Sequence, residues 1–135
     1  MAFKLSAQMT VVRLTYYEYP VANGVTISNG DVVRLVNGRF QLCATNEEVF
    51  GVSCTVDDVT GNAAGTTTIQ AIMAYGVLWE AEQGALTDAT TQPGDLVDIN
   101  ATSDGIAAVV NSDFRIWQVD RQRNRVYGTF QNTFI

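Results

Sequence analysis

The side chains of this chain that could do chemistry are few, because it contains no histidine. Histidine is the commonest general base and metal ligand, and Ser-His and Cys-His catalytic pairs depend on it. Two thiols, Cys43 and Cys54, remain as candidate nucleophiles. A thiol without a neighbouring base has little activation, so we expect both cysteines to be structural.

The carboxylates are equally poor catalysts by their spacing. Glu47-Glu48 and Asp57-Asp58 are adjacent pairs at predicted turns. A glycosidase needs two carboxylates facing each other across a cleft, whereas adjacent residues of a strand point to opposite faces. The segment DINATSDG (98–105) is faintly similar to a calcium loop but has Ser103 where the EF-hand pattern requires glycine. We therefore predict a protein that is not an enzyme and has no metal or cofactor.

Tyrosines and arginines are the candidate binding residues. Tyr16, Tyr17 and Tyr19 could stack on bases or sugars, or could lie in a subunit interface, which we favour. Alternation along a strand predicts Tyr17 and Tyr19 on one face and Tyr16 on the other. A second group, Arg121, Arg123 and Arg125, could be a solvated hairpin end, a contact to an acidic protein or a phosphate site, in that order. The net charge of −6 and pI of about 4.3 argue against general nucleic-acid binding.

The two cysteines are predicted to be unpaired and on different sides of a sheet. If 39–44 and 48–56 form a hairpin, Phe40 and Leu42 point one way and Cys43 the other. In the second strand, alternation puts Phe50, Val52 and Cys54 on one face, which places Cys54 in the core and Cys43 outside it. Free cysteines are typical of a reducing compartment such as cytoplasm. The first ten residues do not resemble a signal peptide, and no window approaches the ~20 apolar residues of a membrane span.

The elements that must position these side chains are predicted to be strands. Asn37-Gly38 joins two alternating runs and is a strong hairpin signal. Gly76 is predicted to bend or bulge the long apolar run 66–82, although a short helix over 70–75 remains an alternative. The predicted strands are 10–19, 31–36, 39–44, 48–56, one or two strands in 66–82, 95–100, 106–110, 114–120 and 125–131.

These strands predict an all-β fold, a single β-barrel or β-sandwich. The composition, 47% hydrophobic and 16% charged, is sufficient for a core without metals or disulfides. We expect residues 1–9 to be a flexible N-terminal arm and residues 10–135 to be one β domain, since the sequence contains no internal linker.

A repeated segment links this architecture to a family. GDVVRLV (30–36) returns as GDLVDIN (94–100), each a Gly-Asp turn followed by an alternating apolar strand. With the hairpin after the first copy, the strand VFGV and the later DGIA, residues 30–56 and 92–108 resemble the head decoration, or capsid cement, proteins of tailed bacteriophages. The matching stretches cover about a third of the chain and are turn patterns rather than chemical motifs.

The resemblance implies a β-tulip-like virion protein, made in the host cytoplasm and bound to the capsid surface. Its partner would be the major capsid protein, whose neighbouring subunits it would clamp, often as a homotrimer. The family's N-terminal arm implies that Phe3, Lys4 and Leu5 contact the capsid. Two alternatives remain: a phage tail, neck or fibre-attachment protein, and a small β-barrel that binds nucleic acid or oligosaccharide through its tyrosines and arginines.

Overall fold

The computed structural model describes residues 3–6, 14–82, 92–100, 102–103, 106–107 and 113–134. These residues form strands and turns, which confirms the all-β prediction. The strands are β1 (Lys4–Leu5), β2 (Tyr16–Pro20), β3 (Thr26–Ile27), β4 (Val32–Val36), β5 (Arg39–Leu42), β6 (Gly51–Ser53), β7 (Val59–Thr60), β8 (Thr68–Met73), β9 (Trp79–Glu82), β10 (Leu96–Ile99), β11 (Ile106–Ala107), β12 (Phe114–Asp120) and β13 (Arg125–Phe130).

Two antiparallel sheets make up most of the fold. The six-stranded sheet has the order β1-β9-β13-β12-β10-β11, and the five-stranded sheet has the order β2-β8-β6-β4-β5. A small ribbon of β3 and β7 accompanies them. The main hydrophobic cluster takes residues from both large sheets, among them Val52 and Ile72 from one and Trp79, Phe114 and Phe130 from the other. The architecture is therefore sandwich-like, with the main core between the sheets.

The five-stranded sheet is also apolar on its other face. A second cluster there includes Val21, Val33, Phe40, Phe50 and Ile69. The sheet curves until its outer strands meet, since Val21 bridges Phe40 and the Ala22 N–H donates to the Phe40 carbonyl at 2.9 Å. Both faces of this sheet are consequently lined by apolar residues.

Both large sheets have the same connectivity. The strand after each Gly-Asp turn, β4 or β10, pairs with the next strand, β5 or β11, on one side. On its other side it pairs with β6 or β12, the strand after that. In the five-stranded sheet, β6 then pairs with β8, and β8 pairs with β2, which precedes the first turn. In the six-stranded sheet, β12 pairs with β13, and β13 pairs with β9, which precedes the second turn. The sequence repeat is thus part of a structural repeat.

The two Gly-Asp turns, 28–31 and 92–95, have the same internal hydrogen bonds. The Asp31 N–H donates to the Ser28 carbonyl at 3.2 Å, and the Asp95 N–H donates to the Gln92 carbonyl at 3.2 Å. In return each aspartate Oδ2 accepts from the backbone N–H three residues earlier, at 2.8 Å and 2.9 Å. The third residue of each turn is a glycine with positive φ, 86° at Gly30 and 95° at Gly94, as a type II turn requires.

Each turn also binds the opposite strand in the same way. Gly30 N–H donates to the Ser53 carbonyl at 3.0 Å, and Ser53 N–H donates to the Asp31 carbonyl at 2.9 Å. In the other sheet Gly94 N–H donates to the Ile116 carbonyl at 2.6 Å, and Ile116 N–H donates to the Asp95 carbonyl at 2.9 Å. The turn therefore sets the register between the first and third strands of each unit.

Two predicted elements differ in the structure. The run 66–82 forms two strands separated by a turn at Gly76, so the bend is confirmed and a helix over 70–75 is wrong. The predicted strand 48–56 is reduced to β6, because Val49 leaves the ladder and bridges Thr133 near the C-terminus. The Asn37-Gly38 hairpin is confirmed, with φ of 50° and 76° at its two turn residues.

The prediction of a flexible arm over 1–9 is wrong for residues 3–6, which pack on the sheet. Residues 4 and 5 form β1, which pairs with β9, and the Ser6 N–H donates to the Leu78 carbonyl at 3.1 Å. Phe3 is buried between Phe114 and Phe130, with ring centroids 5.6 Å and 5.0 Å away. Burial of an aromatic ring favours docking of this segment on the sheet. Residues 1–2 and 7–9 lie outside the described residues.

The two turns predict unequal effects of one substitution. Asp31 is buried, whereas Asp95 is half-buried. Asp31→Ala should lower the free energy of unfolding by about 1–2 kcal/mol, and Asp95→Ala by less. The reason is that the part-buried Ser28 N–H, once it loses its acceptor, is less able to bond to water than the exposed Gln92 N–H. Urea unfolding of both variants, with exposed Asp58→Ala as the control, measures the difference. An Asp31→Ala loss no larger than that of the control would contradict this role.

Candidate functional site

A group of aromatic side chains lies at one end of the curved five-stranded sheet. We call Tyr17, Tyr19, Phe50 and Phe134 the aromatic end. The buried Phe50 ring is its floor, contacted by Tyr17 at 5.7 Å and by Phe134 at 5.2 Å between ring centroids. Tyr17 is 39% exposed and Phe134 is 43% exposed. These rings can offer a partner apolar area held in place by the core below.

Strand alternation positions the tyrosines as the sequence predicted. Tyr17 and Tyr19 share a face of β2, with rings 6.4 Å apart and nearly parallel at 14°. Tyr19 also packs edge-on against Phe40, at 5.5 Å. Tyr16 is on the other face and is 52% exposed. The three tyrosines therefore do not make one stacking platform.

Phe134 is a member of this group that sequence reasoning missed. Its position depends on the Val49–Thr133 bridge and on the Phe134 N–H, which donates to the Val49 carbonyl at 2.9 Å. This pairing joins residues more than 80 positions apart, and no local pattern around Phe134 indicates it.

The three arginines of the predicted hairpin tip are divided by the structure. Residues 121–124 form the turn between β12 and β13, and Arg121 and Arg123 are exposed there. The Arg123 N–H donates to Asp120 Oδ1 at 3.2 Å, and its guanidinium lies 3.7 Å from Asp120 Oδ2. Arg125 lies instead on the sheet, where its Nε is 3.0 Å from Glu80 Oε1. Arg121 and Arg123 thus remain at the tip, which we call the arginine tip.

Glu80 also binds Lys4, one of the predicted capsid-contact residues. Lys4 stands opposite Glu80 in the β1–β9 register, and Lys4 Nζ is 3.5 Å from Glu80 Oε1. The half-buried Glu80 carboxylate therefore joins β1 to β13 through two cations. Phe3 lies in the core and Leu5 packs on its edge, so both side chains contact the protein's own interior.

The arginine tip and the aromatic end lie at opposite ends of β13. The tip precedes Arg125, whereas the strand ends at Phe130 and the chain continues to Phe134. Six residues of extended strand span roughly 20 Å. The two surfaces are therefore separated by about the length of β13.

Trp117 is a further exposed aromatic residue that the sequence reasoning did not single out. It is 62% exposed and falls at a register shift between Ile116 and Gln118, as the extra residue of a bulge in β12. Its indole N–H donates to Thr129 Oγ1 at 3.1 Å, which holds the ring in one orientation. The bulge places this indole toward solvent, and an alternating sequence pattern does not reveal a bulge.

The predicted positions of the cysteines are reversed. Cys43 is completely buried in the main core, and Cys54 is half-buried at its edge. Phe40 and Cys43 do point to opposite faces of the sheet, as predicted. However, the face of Cys43, which was predicted to be exposed to solvent, packs in the main core. Phe50 and Val52 contact different clusters, so the alternation assumed for 48–56 also fails near Gly51.

Neither thiol is activated. Burial, with a smaller effect of the nearby Asp113 carboxylate, raises the pKa of Cys43 to about 12. Burial also raises the pKa of Cys54. Both remain protonated near neutral pH, which agrees with the structural role predicted for them.

Within the described ranges, no group of three or more acidic or cysteine side chains is placed to hold a metal ion. No helix in the same ranges is long and apolar enough to cross a membrane. Comparison with known proteins found no matching family model, no matching curated protein and no matching solved structure.

Thiol accessibility tests the arrangement of the two cysteines. In the folded protein at pH 8, Ellman's reagent should modify Cys54 slowly and Cys43 hardly at all, because Cys43 is both buried and protonated. Unfolding in guanidinium chloride should release the second thiol, since its pKa then returns to the ordinary value near 9. Cys54→Ser, which should show almost no reaction when folded, is the control. Fast modification of Cys43 in the folded protein would contradict the structure.

Proposed function

We propose that this chain is a non-enzymatic virion protein that binds the outer surface of a tailed-phage capsid and stabilises it by clamping neighbouring capsid subunits. The family component of this proposal comes from the resemblance of residues 30–56 and 92–108 to capsid cement proteins. Both stretches contain a Gly-Asp turn of the same geometry, each within one of the two sheets.

The observation that carries the proposal is the separation of two chemically different surfaces on a rigid sandwich. The aromatic end offers exposed rings, and the arginine tip, roughly 20 Å away along β13, offers guanidinium groups. A clamp needs contacts at two separate points of its partner. Tyrosine and arginine are also residue types enriched in the anchoring positions of protein interfaces.

The residues proposed to contact the capsid differ from those that the resemblance implies. Phe3 and Leu5 pack in the chain's own core, and Lys4 forms an ion pair with Glu80. Contact is therefore assigned to Tyr17 and Phe134 of the aromatic end and to Tyr16 on the other face of β2. Arg121 and Arg123 would make the contact at the arginine tip. Arg125 instead stabilises the sheet through Glu80.

The energetics of such binding do not require a strong single site. A stable protein interface usually buries about 1,600 Å² in total, so a clamp can divide this area between its two surfaces. An oligomer on a symmetric shell binds several equivalent subunits at once, so avidity multiplies modest affinities. We propose a homotrimer, which the resemblance to capsid cement proteins implies, to be measured by light scattering after size-exclusion chromatography.

Sedimentation with capsids tests the proposal directly. Purified protein should sediment with expanded capsids assembled from the major capsid protein encoded in the same genome, and should raise their melting temperature. Failure of both effects would reject the proposal. Immunogold labelling of intact virions at the tail rather than on the head would support the alternative, a tail, neck or fibre-attachment protein.

Tyr16 provides a sharp test, because the substitution should leave the fold intact. Tyr16→Ser should weaken capsid binding about tenfold, as expected for removal of an exposed aromatic anchor. Its unfolding midpoint should stay close to that of the original protein, since the ring is half exposed. Val56→Ser, at an exposed turn position, is the matched control and should bind normally. Equal binding by both variants would exclude Tyr16 from the interface.

We expect the arginine tip to make capsid binding depend on salt concentration. Arg123→Gln removes a charge at an exposed turn. It should lower capsid affinity at low salt by a few-fold and reduce the slope of affinity against salt concentration, because exposed ion pairs are screened. Lys4→Gln, on the sheet beside Glu80, is the control for net charge. Retention of either protein on DNA-cellulose that falls steeply with salt would point to the nucleic-acid alternative instead.

A further inference from the structure

A cleft of about 140 Å³ opens between the two sheets beside β1. Its apolar wall comes from both sheets: Phe3, Leu5, Val52, Ile72 and Trp79. An engineered apolar cavity of ~150 Å³ is large enough to bind benzene. The cleft is therefore of a size to hold one small ring.

One polar group in this wall lacks a partner. The Trp79 indole nitrogen is buried and has no hydrogen-bond partner among the described residues. Trp117 is the other tryptophan of the chain, and its indole N–H is bonded to Thr129. A buried donor without an acceptor is costly, and most buried polar groups in folded proteins have one.

The polar side chains of the wall already have partners within the chain. Lys4 pairs with Glu80 at 3.5 Å, and Ser53 Oγ donates to the Ser28 carbonyl. Cys54 Sγ donates to the Gln70 carbonyl at 3.4 Å. The Asn29 amide, with its oxygen and nitrogen exchanged to fit its surroundings, donates to the Ser53 and Thr55 carbonyls, each at 3.3 Å. Among the described residues of this wall, the Trp79 N–H is thus the one polar group that needs a hydrogen-bond acceptor. The same residues include no buried charge that would favour a charged ligand.

We propose that this cleft binds a small neutral molecule, one ring in size, that carries an oxygen able to accept a hydrogen bond from Trp79 Nε1. The ring would occupy the apolar wall, and the oxygen would satisfy the indole N–H. This site is separate from the aromatic end and from the arginine tip, and the proposal does not depend on capsid binding.

Leu5 lines the cleft beside the indole. It stands directly opposite Trp79 in the β1–β9 register, where side chains lie about 5 Å apart. The Trp79 nitrogen is buried in the folded chain. In this proposal the half-buried Leu5 side chain, which also lines the cleft, rotates to expose it. Leu5→Ala should therefore bind the same ligand more tightly.

Phenol and benzene are a matched pair of probes, because they share a ring and only phenol has an oxygen. In a ¹⁵N–¹H spectrum of the full chain the two tryptophans give two indole resonances, assigned from the Trp79→Phe and Trp117→Phe variants. Phenol should shift the Trp79 resonance saturably and leave the Trp117 resonance in place. It should also bind about fivefold more tightly than benzene, as expected for one neutral hydrogen bond.

The variants separate hydrogen bonding from simple occupancy. In Trp79→Phe, which keeps a ring but lacks the N–H, phenol and benzene should bind equally when followed by ligand-observed NMR. If Trp79→Phe does not fold, the preference for phenol in the original protein and its increase in Leu5→Ala decide the question. A Trp79 resonance that does not move, or that moves without saturation together with that of Trp117, would overturn the proposal.

Discussion

The organisation of this protein depends on one interaction, the binding of a Gly-Asp turn to the strand opposite it. In each sheet the glycine N–H donates to a carbonyl of the third strand, and that residue's own N–H donates back to the aspartate carbonyl. The aspartate side chain closes the turn by accepting the N–H three residues earlier. These bonds connect the start of one strand to the last residue of β6 or to the third residue of β12. They therefore set the register of β4 with β6 and of β10 with β12. A one-residue slip would turn every side chain of such a strand to the other face.

The second constraint is that the five-stranded sheet has apolar residues on both faces. One face packs against the six-stranded sheet, and the other curves around Phe40 and Phe50 until β2 meets β5. Phe50 carries Tyr17 and Phe134 above it, so the aromatic end is an extension of this second cluster. A partner that bound there would contact rings supported by the core, which reduces the side-chain entropy lost on binding.

Ion pairing separates residues that look equivalent in the sequence. Three arginines follow one another at alternate positions, yet Glu80 binds Arg125 to the sheet and leaves Arg121 and Arg123 at the exposed turn. The same carboxylate binds Lys4, and Phe3 next to it inserts between Phe114 and Phe130. The first strand is therefore part of the scaffold, and the surfaces proposed for interaction are formed by β2, the C-terminal segment and the hairpin tip.

The sequence by itself determined the all-β class, the Asn37-Gly38 and Gly-Asp turns, the bend at Gly76 and the opposite orientation of Tyr16 and Tyr17. These features follow from local chemistry: glycine and asparagine tolerate positive φ, and strand side chains alternate. Only the tertiary structure decided that Cys43 is buried, that Phe3 belongs to the core and that Phe134 joins the aromatic end. Alternation says which residues share a side, but what covers that side depends on contacts between distant segments. The bulge at Trp117 belongs to the same group, because it arises from pairing with β13 and not from the residues around it.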